Sequence, residues 1–466
     1  MTALTIDQQL GRHAVPRSAA VRLLQVFGLT VMVFPSDTVV KAIGGGGYVA
    51  ALVAYCMFLA WVAATLFGVH NPLDHRYPVR ISLCTLWLVS LVSYALMNRA
   101  ILNAHQQTAA DRWLLQLAGV SGVILVAAEY LRSVEDIHRV LRALMWGGAL
   151  CGIVASLQYW LTIDVTPYLR MLPGFSLNQG IGTIAIGSRG ALNRVAGTAT
   201  DPIELGVVAA MLLPLAVYMT MHDVKVSKWK RWLPVICITI AIPISVSRAA
   251  ILALSVALGV LIISLPPTRR LKVLVAIPVA LAGIFVTAHR LLGTLKQYFL
   301  AGTSDNSISH RVNNYPYVEY LVHRAPWFGQ GGGTYSDQQA IHILDNQYLD
   351  AVIELGLVGT VALIFYFLWP ALAALAARKR TADPRLRDLC AALAGSALAA
   401  MLCSGTFDSL GFPMFVNVQA LVFGLIGAVW LLADRERSGT PCPLFRQRSN
   451  GTVNGRVRAL ESGGGN

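Results

Sequence analysis

The stretch "DNQYLDAVIELGLVG" at 345–359 leads into an apolar run that continues to about residue 375. Asp345, Asp350 and Glu354 stand at the entrance of a segment long enough to cross a bilayer. An ionised carboxylate taken into hydrocarbon costs free energy, so acids there are usually paired or functional. Asn346, Asp350 and Glu354 recur at i, i+4 and i+8, which places them on one helix face for about two turns. Asp345 sits at the mouth of that stripe. A carboxylate so placed can orient a hydroxyl or accept its proton. The same residues also have a structural use. Asn346 suits a helix N-cap, and acids favour the positive N-terminal end of a helix.

A second group is cationic. "IAIGSRGALNRVAGTATDPIELG" carries Arg189, Arg194, Asp201 and Glu204, and "SVSRAAILAL" sets Arg248 between two apolar runs. Further along are Arg290, Arg311 and Arg324, with His310, His323 and His342. A guanidinium pairs phosphate oxygens in a bidentate way and stays charged when partly desolvated. A cluster of them at a membrane surface points to an anionic substrate head, of which a lipid pyrophosphate is one. Contact with lipid headgroups or loop acids accounts equally well for Arg290 and Arg324. The histidines lack helical metal spacing, so no metal site is expected. The glycine runs "IGGGG" (43–47) and "GQGGG" (329–333) lack the Lys-Ser/Thr of a phosphate-cradling loop and predict tight turns or close backbone packing.

These residues need elements to hold them, and composition says which. The chain has 466 residues, 56% hydrophobic and 13% charged, about half the charge of a soluble protein. That argues for an integral membrane protein. Apolar runs of bilayer length predict about twelve transmembrane helices, near 19–36, 47–69, 79–97, 112–129, 139–160, 203–221, 231–246, 248–265, 271–288, 347–370, 385–405 and 412–433. The seventh and eighth are short and could form one broken or hairpin element. The first is read as a retained helix, because no small-residue cleavage site follows it. The seven cysteines form no CxxC pair and suggest no disulfide framework.

Net charge is +14. With the N-terminus inside, 26 of the 37 Lys and Arg fall on inner loops and tails and 11 outside, which predicts an N-in, C-in topology. Much of the positive charge is then a topology signal, and no nucleic-acid partner is expected. Two long loops, about 161–202 and 289–346, both lie outside, where function concentrates. Residues 1–433 read as a single transmembrane domain with a motif-bearing core at about 190–360. Residues 434–466 read as a disordered basic cytosolic tail.

Together these segments resemble the O-antigen ligase and polymerase superfamily of bacterial envelope glycan enzymes. "SRAAILAL" at 247–254 resembles that family's Ser-Arg segment opening a transmembrane helix. "RVAGTATDPIELG" at 194–206 resembles its Arg-x-x-Gly loop. "HRVNNYPYVEYLVHRAPWFGQGGGTY" resembles its stretch from an Arg to a Gly-x-Gly turn. Asn346, Gly356 and Gly359 match a pattern of His, then Asn, nine residues, Gly, two residues, Gly. One position departs: Asp345 stands where the family's ligases have histidine, which tilts the reading towards polymerase. The resemblance implies an all-α polytopic GT-C-like membrane glycosyltransferase. It implies that a glycan carried on polyprenyl (undecaprenyl-type) pyrophosphate passes to a glycan or envelope-lipid acceptor, outside the plasma membrane and with no metal or cofactor. Under it, Arg194 and Arg248 bind pyrophosphate, with Arg311 and Arg189 as second choices. Asp345, with Arg248 and Glu354, forms the catalytic group and acts on the acceptor. Asn346 and Asp350 belong to the substrate-binding set, and Asp350 and Glu354 hold the helix and the arginines in register. The residues themselves also suggest that Glu354 pairs with Arg248. A lipid-linked glycan flippase is the competing class. Transporters tend to show internal repeats, and none is visible here.

Overall fold

The computed structural model describes residues 17–98, 102–178, 186–189, 192–268, 270–271, 274–275, 314–335 and 343–438. The long apolar runs are helices, as they must be where no water satisfies backbone groups. In chain order they are α1 (Arg17–Val33), α2 (Val49–Leu66), α3 (Pro78–Leu96), α4 (Ala104–Tyr130), α5 (Val134–Ser156), a one-turn α6 (Thr166–Arg170), α7 (Pro202–His222), α8 (Lys228–Ile244), α9 (Arg248–Ser264), α10 (Tyr315–Arg324), α11 (Gln347–Glu354), α12 (Gly356–Arg380), α13 (Pro384–Cys403) and α14 (Pro413–Arg437). Eight of these, α2–α5, α7 and α12–α14, are long and apolar enough to cross a membrane, with α5 continued by a π-helical turn to Leu161. Residues 18–33 and α9 are shorter apolar helices. The chain is a mostly helical, multi-pass membrane protein. The expected span at 271–288 lies almost wholly outside the described residues.

The bundle closes around α14, whose apolar window is 89% buried. It packs on α4, α12 and α13, while α7 is held by α8, α9 and α13. Contacts sort the loops into two ends. At one end Arg80 pairs with Glu129, Arg142 with Asp223 at 2.9 Å, and Arg378 donates to Ser264 O at 2.6 Å. At the other, Ser36 N–H donates to Thr198 O at 2.9 Å and Gln116 to Leu410 O at 2.8 Å.

Three features differ from expectation and one agrees with it. The expected span at 347–370 is two helices, because the chain breaks at Leu355–Gly356 and Gly356 takes φ +68°. The expected loop 161–202 contains strands. β1 (Thr38–Val40) pairs antiparallel with β2 (Phe175–Leu177), and β3 (Ile186–Arg189) with β4 (Leu192–Val195). The agreement is at "SVSRAA", a tight turn between two helices at the expected seventh and eighth runs: α8 carries Pro243 in its last turn, Val246 takes φ +47°, and Ser247 caps α9. Finally, α14 runs to Arg437, past the expected start of a disordered tail at 434. Its end is anchored by Glu436, which accepts hydrogen bonds from Thr381 Oγ1 and Ala382 N–H, and by Asp434, 3.6 Å from Arg380. Those contacts supply the polar partners that composition alone did not reveal.

Candidate functional site

Arg194 lies in β4, opposite Gly187 of β3. Its guanidinium is 3.3 Å from Asp201 Oδ1 and donates through Nε to Ser245 O at 3.3 Å. Asp201 in turn caps α7 by accepting from Ile203 N–H at 2.7 Å. The intervening loop is pinned from four directions. Gln158 accepts from Gly197 N–H at 2.7 Å and donates to Gly197 O at 3.1 Å. Thr198 Oγ1 donates to Met32 O, and Glu204 accepts from Thr200 N–H. Glu204 is fully buried and also accepts from Met414 and Phe415 N–H at 2.7 and 3.1 Å. One carboxylate therefore ties the entrance of α7 to that of α14.

Arg248 is the first residue of α9, three residues after Ser245, so the contact from Arg194 brings the two arginine-bearing segments together. Gly206 tightens the same corner. A Cβ there would lie 2.4 Å from Ser245 Oγ and 2.5 Å from Ala250 Cβ.

The acids approach from the other side. Asn346 caps α11, its side chain accepting from Tyr348 and Leu349 N–H at 3.0 and 3.4 Å. Asp350 and Glu354 are buried, so the polar stripe faces inward as its spacing required. Asp345 takes φ +48°, a left-handed conformation that Asp and Asn tolerate better than most residues. The break after Glu354 is sealed by the Gly-rich loop. Gln330 and Gly331 N–H donate to Ile353 and Glu354 O at 3.1 and 2.9 Å, while Leu357 and Val358 N–H donate to Pro326 and Trp327 O at 2.9 and 3.2 Å. The Glu354 carboxylate accepts from Tyr335 N–H at 3.0 Å. It thus holds the glycine loop, a role its expected pairing with Arg248 did not include. The 329–333 run is indeed a set of tight turns, with positive φ at Gly329, Gly331 and Gly333.

Asp408, between α13 and α14, is a residue the sequence reading missed. Gln347 holds its loop at α11: the Gln347 amide oxygen accepts from Leu410 N–H at 2.6 Å, and its own backbone N–H donates to Ser404 and Phe407 O. Burial first, opposed by a backbone hydrogen bond and reinforced by the charges of Asp345 and Asp201 nearby, brings the Asp408 carboxyl up to about 7. Asp350 is likewise pushed well above the usual carboxylate range, by burial first and then by Glu354, Asp408 and Asp345. Asp201, paired with Arg194, therefore lies within electrostatic reach of Asp408, and Asp408 within reach of Asp345 and Asp350. Arginine and acid groups from distant parts of the chain meet at one end of the bundle. The lone acid in "FDSLGFP" gave no spacing signal of its own; its place in the expected outer loop between two spans was the available clue.

Residues 233–364 match the family model for O-antigen ligase. This segment is similar to the O-antigen ligase family. The match spans α8 and α9, with Arg248, and runs through α11 into α12, with Asp345, Asn346, Asp350 and Glu354. It supports membership of the O-antigen ligase and polymerase superfamily and an enzyme of the glycosyltransferase type in envelope glycan assembly. Arg194 lies before the ligase-family segment and Asp408 after it, yet the fold brings both to the same end. No curated protein matches the chain. Of the expected site residues, Arg311 lies outside the described residues, and for Arg189 only its place in β3 is described. Among the described residues no group of three or more His, Cys, Asp or Glu is arranged to hold a metal ion.

The raised carboxyl of Asp408 makes a pH prediction. Its folded-state value, about 7, lies above the ordinary 3.8. Between those values the folded chain holds a proton that the unfolded chain releases, so this residue's contribution to stability falls as pH rises from about 4 to about 7. Asp408→Asn removes that dependence. The advantage of the parent over Asp408→Asn in thermal unfolding is expected to shrink across this window. A difference that stays flat, or grows with pH, refutes the burial argument.

Proposed function

We propose that this protein transfers a glycan from a polyprenyl pyrophosphate to an acceptor sugar hydroxyl on the outer face of the bacterial inner membrane, as a polysaccharide polymerase. The observation that carries this reading is the meeting of Arg194 and the Ser245–Arg248 turn with the Asp345–Asp350–Asp408 group at one end of the bundle. Arg194 and Arg248 neutralise the pyrophosphate, with Arg189 and Arg311 as second choices for that role. Charge develops there as the bond between the anomeric carbon and the phosphate oxygen breaks, and fixed cations lower that barrier. The acceptor oxygen forms a new bond to the anomeric carbon, its proton passes to Asp345, and the pyrophosphate lipid leaves. A single displacement of this kind inverts the anomeric centre. Asn346, Asp350 and Glu354 keep α11 and the glycine loop in register beneath the acceptor. The chemistry proposed uses no metal or cofactor.

Asp345→Asn is the sharpest local test, since asparagine tolerates the same left-handed backbone and removes only the base. Transfer is expected to fall about 10²–10⁴-fold with thermal stability kept; unchanged transfer would remove Asp345 from the chemistry. The subtype is read from a strain lacking the gene, whose lipid-linked glycans are extracted and sized. Outward-facing single repeat units identify a polymerase. Finished chains still on the lipid identify a ligase, the alternative reading. Units trapped on the cytosolic face overturn the enzyme and indicate a flippase.

A further inference from the structure

A small cleft of about 30 Å³, partly open to solvent, lies among α5, the C-terminal turn of α7 and the N-terminal turn of α8. The candidate site sits at the opposite ends of α7 and α8, roughly 30 Å away at 1.5 Å rise per residue. Three cations line the cleft: Arg142, Lys230 and Arg231. One acid, Asp223, faces them, and it is engaged by Arg142 at 2.9 Å. Arg231 donates through Nη1 to Thr220 O at 3.2 Å. Its Nε is buried and has no hydrogen-bond partner among the described residues. Lys230 makes no ion pair among them. Two positive charges and a buried N–H are therefore left over. A buried donor without an acceptor is destabilising, and an anionic oxygen in the cleft would remove that cost.

The surroundings favour a membrane-surface setting. Lys230 and Arg231 belong to "SKWKRW" at 227–232, in which Trp229 is 86% and Trp232 54% exposed. Indole rings beside Lys and Arg settle at the headgroup level of a bilayer. Met145, Trp146, Met219 and Pro234 line the cleft alongside the cations, so an apolar wall adjoins the charged one. This end also carries the other basic loops, the side on which anionic lipids attract clusters of Lys and Arg.

We propose that this cleft is a binding site for a phosphate-bearing anion, with Lys230 and Arg231 contacting the phosphate and the apolar wall receiving what the phosphate is attached to. The two sources of such a group are an anionic phospholipid of the inner leaflet and a free phosphate.

The test uses the purified full-length protein in nanodiscs of a zwitterionic lipid, followed by tryptophan fluorescence and native mass spectrometry. Phosphatidylglycerol is titrated into the bilayer in one arm and inorganic phosphate into the buffer in the other. Saturable binding is expected, weakened about fivefold for each of Lys230→Gln and Arg231→Gln and unchanged in Lys379→Gln, an exposed cation outside the cleft. Binding of phosphatidylglycerol alone identifies a lipid site; equal binding of both identifies a site for the phosphate group itself. Non-saturable binding, or equal weakening by Lys379→Gln, overturns the proposal in favour of diffuse surface attraction. If Arg231→Gln fails to fold through loss of the Thr220 contact, Lys230→Gln, which touches no other described group through an ion pair, decides alone.

Discussion

Arg248→Ala is expected to lower glycan transfer by about two to three orders of magnitude, the usual cost of removing one preorganised group that stabilises developing charge. What makes the variant informative is that stability should move the other way or hardly at all. Arg248 is the first residue of α9, and a cation in the first turn of a helix opposes the helix dipole, at a cost of about 0.3–1 kcal/mol. A residue kept there against local preference has a reason beyond the helix. Arg248→Lys separates charge from geometry. Lysine keeps the charge but loses the planar fork that meets phosphate oxygens in pairs, so partial activity is expected. Transfer by purified protein and thermal unfolding in the same detergent check both halves. Normal transfer in Arg248→Ala refutes the donor-site assignment. Loss of transfer together with a large drop in unfolding temperature would instead make Arg248 a structural residue.

The sequence made the membrane class legible because hydrocarbon leaves a chain few choices: runs of bilayer length must be helices, and α2, α3, α7 and α13 lie within a few residues of their expected bounds. The break between α11 and α12 was not legible, since the apolar pattern continues through Leu355 and Gly356 without a polar interruption. It exists because carbonyls and N–H groups on each side find partners in residues 326–331, and such a pairing has no local signature. The strands near Arg194 were missed for a similar reason: each is three or four residues long and depends on a partner strand. Helical spacing found the inward stripe of Asp350 and Glu354, and the cost of charge in a membrane singled out Arg248 as a candidate. Asp408 and Glu204 act through contacts with segments far away in sequence, which no spacing rule encodes. The Arg194–Ser245 contact likewise appears only once β4 and the turn before α9 are folded against each other.

Gly329→Ala is expected to destabilise the protein by about 3 kcal/mol or more and to abolish transfer with it. Two costs combine. Gly329 takes φ +69°, which an alanine adopts at about 1–2 kcal/mol. The added Cβ would also lie 2.3 Å from Glu354 C and O, and backbone atoms at the sealed break cannot swing aside as a flexible side chain could. Moving them would pull apart the hydrogen bonds from Gln330 and Gly331 to Ile353 and Glu354, and with them the inward placement of Asp350 and Glu354. Gly44→Ala isolates the backbone term. Gly44 has a similar φ of +71° but nothing within 4 Å of a new Cβ, so only the conformational cost should appear. Unfolding temperatures of the two variants, measured side by side, should therefore differ widely although their backbone angles match. If they fall together by a small amount, the glycine loop is not what fixes the acid-bearing helix. A large effect at Gly329 alone means that a turn remote from any reacting atom sets the geometry on which the acids of α11 depend.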